Sequence, residues 1–147
     1  ATKPASHDDP AEQWTDEENA YNGDTSDMAY DDVVGADWGS YLELIHAGIS
    51  NTIGVALYLG KESSAITKVN IWVEYGGEWH ELYNDNFTDK AWLTAHLSSA
   101  QTVTKVQVRF YCASGTKQGK IYDTKFLSTP GLALAALHKV KVSSTSI

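Results

Sequence analysis

Three stretches of this chain set an apolar residue at every second position, and that spacing decides what it can fold into. Thr52–Leu59 lines up Ile53, Val55, Leu57 and Leu59. Ile66–Tyr75 lines up Val69, Ile71, Val73 and Tyr75 against Lys68, Asn70, Trp72 and Glu74. Val103–Tyr111 sets Val106, Val108 and Phe110 against Lys105, Gln107 and Arg109. A period of two belongs to extended backbone, whose successive side chains point to opposite faces, and it marks half-buried antiparallel strands. Gly76-Gly77 parts the second stretch from Glu78–Tyr83, and two glycines accept the positive φ angles of a tight hairpin turn. Shorter strand-like runs stand at Tyr41–Ala47, Ala91–Leu97 and Lys120–Leu127, with turn-rich pieces at Asn84-Asp85-Asn86 and Ser114–Gly119. About seven short strands at this spacing, with no convincing helix, predict an all-β antiparallel β-sandwich of the jelly-roll kind.

The ends read differently from the middle. Residues 1–18 carry Pro4, Pro10 and many charges with Trp14 as the one large apolar group, and predict an acidic N-terminal arm. Residues 19–127 make the sandwich, and 128–147 a C-terminal extension holding Leu132, Leu134, Leu137, Val140 and Val142. An apolar extension on a closed sandwich predicts docking on a neighbour, by strand addition to an open sheet edge, with Trp14 as a second anchor. The charge is polarised: residues 1–37 hold eleven acids against one lysine, the remainder eight acids against ten bases, for a net of −8. No basic groove results, so nucleic acid is not an expected partner. No run of about 20 apolar residues occurs, so membrane insertion is not expected either. Cys112, the single cysteine, lies in an apolar strand and is expected to be a buried, inert thiol.

One segment carries a family likeness. Asn19-Ala20-Tyr21-Asn22-Gly23-Asp24-Thr25, then Tyr30, then Trp38-Gly39-Ser40-Tyr41-Leu42-Glu43-Leu44, resembles the opening of discoidin-like (galactose-binding-like) domains, a jelly-roll type also seen in phage structural proteins. The likeness spans roughly residues 14–127. It implies an eight-stranded jelly roll that binds sugars, lipid head groups or proteins through loops at one end, with a structural calcium in several members. Here Asn22 replaces the family's Asp, removing a charge from the cage. Asn22, Asp24, Asp27 and Asp123 are the candidate calcium ligands that the likeness implies, since a hard cation wants six to eight oxygens. The preferred reading is an Asn-Gly turn with Asp24 in a local backbone hydrogen bond.

Catalytic signatures are absent from the linear sequence. His7, His46, His80, His96 and His138 are scattered, no GxSxG elbow or phosphate loop occurs, and Glu78 and Glu81 point to opposite faces of one strand. The chain is therefore expected to be non-catalytic. Its aromatic residues are many, and Trp72, Trp79, Tyr83 and Trp92 are the candidates for stacking on a sugar ring, although each is also a plausible plug for the sandwich. Two functions follow. The first is a structural assembly protein, a virion-surface subunit (capsid decoration or tail-associated) or extracellular filament subunit, whose partner is another copy or a capsid or filament neighbour. The alternative is a carbohydrate-binding module whose partner is a glycan, with or without calcium.

Overall fold

A strand with one apolar face must cover it, and this chain does so by bending its two longest strands through both layers of a sandwich. The computed structural model describes residues 2–129. The strands run β1 (Ser6–Asp8), β2 (Trp14–Thr15), β3 (Ala29–Val34), β4 (Asp37–Trp38), β5 (Leu42–Lys61), β6 (Ile66–Tyr75), β7 (Glu78–Asp85), β8 (Ala91–Cys112) and β9 (Thr116–Ser128). A 3-10 turn at Glu17–Ala20 is the helical piece among the described residues. All pairings are antiparallel, and hydrogen bonding links the strands in the order β2-β3-β9-β5-β8-β6-β7.

The registers show how this continuous ribbon folds over. The first half of β5 (Leu42–Ile45) pairs with the last part of β8 (Lys105–Val108), which continues to β6 and β7. The second half of β5 (Gly54–Leu59) pairs instead with the first part of β8 (Ala91–His96) and with β9, which continues to β3 and β2. Register shifts fall between Ile45 and Gly54, where Gly48 (φ 137°) and Asn51 (φ 57°) supply the irregular backbone of bulges. The sequence pattern predicts four separate strands here, at 41–47, 52–59, 91–97 and 103–111. The backbone instead runs on through the polar interruptions, because a bulge bends a strand without ending it.

The interior is built from the predicted alternation. Leu42, Leu44, Val55, Leu57, Leu59, Val69, Ile71, Val73, Val106, Val108 and Phe110 are all buried in one cluster, with Ile121 and Phe126. Phe110, on the first layer, lies against Gly119 of β9 on the second; a methyl group at Gly119 would sit 2.3 Å from the ring. That absent side chain lets the layers meet. The Gly76-Gly77 turn forms as predicted, with φ of 62° and 77° and Tyr75 opposite Glu78.

The N-terminal segment departs from its reading as an arm. Thr2 exchanges backbone hydrogen bonds with Phe126, Ala5 donates to Ile45, β1 pairs with β5 and β2 with β3. Trp14 is 5 % exposed, tilts against Phe110 and donates its indole N–H to the Ser40 carbonyl at 2.9 Å. A side chain so enclosed in its own domain is unavailable to a neighbour, which corrects its assignment to an assembly interface. Leu132, Leu134, Leu137, Val140 and Val142 lie outside the described residues. Cys112 is buried and unbridged.

Candidate functional site

On the second layer the residues between the core positions point outward, and there aromatic rings from adjacent strands come together. Tyr58 of β5, between buried Leu57 and Leu59, stands opposite Trp92 of β8 in register. Tyr58 meets Trp92 edge-on at 5.4 Å between ring centres and Tyr122 of β9 at 5.6 Å. Three rings from three neighbouring strands thus form a row across the sheet. Trp92 is 43 % exposed, one of two large apolar side chains left open to solvent among the described residues. Tyr122 is buried, and burial first, then the charge of Asp89 and the neighbouring Tyr58, raises its phenol above the usual range.

A cleft of about 510 Å3 adjoins this row, walled by Tyr30, Tyr58 and Tyr122 and rimmed by Asp16, Asp27, Lys90 and Lys120. Asp16 (φ 54°) and Lys90 (φ 53°) both hold left-handed backbone conformations that ordinary side chains disfavour. The Lys90 backbone is fixed by donation to the Leu59 carbonyl at 2.8 Å. Lys125 of β9 extends its ammonium over the Trp92 ring, 4.8 Å from the centroid. Among the described residues the one ion pair is Lys105–Glu43, so Lys90, Lys120 and Lys125 have no carboxylate within ion-pair distance.

The four aromatics singled out in the sequence go to three places. Trp92 is in the row, and Tyr83 shares with it a smaller cleft of about 200 Å3. Trp79 lines a different cleft, of about 520 Å3, near the Gly76-Gly77 turn with Tyr75, His80 and His96. Trp72 sits on the outer face of the first layer and donates its indole N–H to Asn70 Oδ1 at 2.7 Å. Buried Asn70 also accepts from Tyr41 and Arg109 and donates to Glu81 and the Tyr83 carbonyl, so Trp72 is one spoke of a structural hub. Tyr58, Tyr122 and the three lysines were not predicted. Their signal lies in cross-strand register, which no local pattern carries.

The predicted calcium ligands do not form a cage. Among the described residues no three His, Cys, Asp or Glu side chains gather as a metal site. Asn22 Oδ1 accepts from the Asp24 N–H, and Asp24 Oδ1 accepts from the Ser26 N–H and hydroxyl, the Ser26 bonds holding the carboxyl below its ordinary range. Asp123 is buried and accepts from the Thr124 N–H. Asp24 is thus held in a local turn, Asp123 is enclosed in the sheet and Asp27 lines the cleft with Tyr30, so these three carboxylates do not gather at one point.

Comparison with solved structures fits this architecture. The chain is similar to a CBM32 from a family 31 glycoside hydrolase of Clostridium perfringens (TM-score 0.64, 10% identity, 86% of this chain and 97% of that one). It is similar also to the CBM32 of AlyQ in complex with 4,5-unsaturated mannuronic acid (0.65, 12%, 87% and 98%). A third is the family 32 CBM of C. perfringens NanJ in complex with galactose (0.58, 15%, 82% and 90%). The fold is the discoidin-like, galactose-binding-like jelly roll. At these identities the discoidin-like likeness concerns the fold alone. No protein-family model matches the chain, and no curated protein matches it.

Proposed function

We propose that this discoidin-like domain is a non-catalytic, extracellular carbohydrate-binding module whose contact surface is the Trp92–Tyr58–Tyr122 row and its adjoining cleft. The observation that carries the reading is the exposed indole of Trp92 beside a polar cleft. A pyranose presents an apolar face of C–H groups and a rim of hydroxyls. The exposed Trp92 ring, braced edge-on by half-buried Tyr58, supplies the complement to the first, and the carboxylates of Asp16 and Asp27 with the ammoniums of Lys90 and Lys120 supply acceptors and donors for the second. Support comes also from the fold, shared with modules solved in complex with galactose and with an unsaturated mannuronic acid.

The reading as a virion or filament subunit depended on the two ends of the chain. Trp14 is committed to the core, and the apolar C-terminal residues lie outside the described residues, so no side chain described here supports it. The test is a glycan array followed by affinity electrophoresis of the wild type, Trp92→Ala and Tyr58→Ala. Trp92→Ala is expected to weaken retention by at least about fivefold, in line with the loss of a stacking contact worth ~1 kcal/mol or more. Wild-type chain that retains no glycan, or equal retention in the Trp92→Ala variant, refutes the proposal.

A further inference from the structure

The Trp92 ring is not bare. A neutral sugar settling on its face meets the Lys125 ammonium already 4.8 Å from the ring centroid and must displace it, giving up a cation–π contact. A sugar that carries a carboxylate gains from the same ammonium instead of evicting it. Lys120, an outward-facing residue of the same strand, lines the cleft next to Tyr58 and Tyr122, and Lys90 lines it from the turn before β8. Acids stand nearby as well: Asp16 and Asp27 on the cleft rim, Asp89 beside Tyr122 and buried Asp123 on β9. None of them lies within ion-pair distance of these three ammoniums. Hydroxyls accept from ammoniums and donate to carboxylates, so both kinds of group can serve a neutral sugar, but a carboxylate on the sugar has acceptors only and is answered by the ammoniums alone.

Resting on the glycan-binding reading, we propose that Lys125, backed by Lys120, is a specificity-determining residue that selects a saccharide bearing a carboxylate, a uronate, over its neutral counterpart. The geometry that carries this is the placement, directly over the stacking surface, of an ammonium that has no carboxylate partner among the described residues. A single exposed charge contact or cation–π contact corresponds to roughly a two- to fivefold change in affinity. Lys125→Gln removes the charge at little cost in volume, and its effect on the two ligands has opposite sign: weaker for the acid, stronger for the neutral sugar.

The experiment is titration calorimetry of the full chain with an α-1,4-linked galacturonate oligomer and with the same oligomer as its methyl ester, for the wild type, Lys125→Gln and Trp92→Ala. The wild type is expected to prefer the acid by about threefold or more, Lys125→Gln to bring the two affinities together from both sides, and Trp92→Ala to weaken both. Equal affinities in the wild type, or an equal loss for both ligands in Lys125→Gln, overturn the inference. Binding of neither oligomer alongside Trp92-dependent retention of a neutral glycan overturns it too while leaving the glycan-binding reading intact. Failure to retain any saccharide takes down both.

Discussion

Replacing Asp31 with Asn should stabilise the domain at neutral pH and do almost nothing at about pH 3, where the carboxyl is protonated whether the chain is folded or not. Asp31 lies on β3, 2 % exposed, and its Oδ2 accepts a hydrogen bond from the Ser40 N–H at 3.2 Å. Burial is the main cause that pushes its carboxyl up to about 6, with Asp32 and Asp9 adding to the rise and the Ser40 bond opposing it. An unfolded chain releases that proton near the ordinary aspartate value of 3.8, so between these values the native state binds more protons than the unfolded one. Stability is therefore complete below the unfolded value and declines as pH climbs through the folded one. At about 1.4 kcal/mol per tenfold, the gap corresponds to up to about 3 kcal/mol lost by pH 7.5. Asn mimics the protonated acid, retaining an acceptor for Ser40 while carrying no charge. Urea unfolding of both proteins at about pH 3, below the unfolded value, and at about pH 7.5 reads the difference directly. The midpoints should nearly coincide at the lower pH, with Asp31→Asn ahead at the higher. A wild type that equals or exceeds the variant at pH 7.5 refutes the account of Asp31 as a charge stranded by burial.

Two further substitutions test the packing. Gly119→Ala places a methyl group against the Phe110 ring at a distance no packed core tolerates, and chemical denaturation should show a loss of about 1–3 kcal/mol. Thr124→Val replaces the one buried side-chain oxygen without a hydrogen-bond partner among the described residues by a methyl group, and should raise the melting temperature through a gain of about 1 kcal/mol.

The core was legible from the sequence because burial leaves a local trace: Val55, Leu57 and Leu59, or Val69, Ile71 and Val73, declare their inward face two residues at a time. The course of β5 and β8 was not. Gly48, Ser50 and Asn51 have the composition of a turn, and only cross-strand hydrogen bonds reveal that they bend a strand instead of closing it. Trp14 misled for a related reason. A lone large ring in a charged stretch reads as an exposed anchor, yet the partner that buries it, Phe110, lies 96 positions along the chain. Trp92 was found because it is a tryptophan, whereas Tyr58 and Tyr122 join it through pairings between three strands that no window of neighbouring residues contains.

The two bent strands also set how this protein can come apart. Because β5 and β8 each belong to both layers, neither layer can peel off while the other persists; pulling one open drags the shared strands through the other. Loss of structure should be all-or-none, and the backbone amides of Leu57 and Val108, on opposite sides of the bend, should exchange with solvent deuterium at one common, slowest rate.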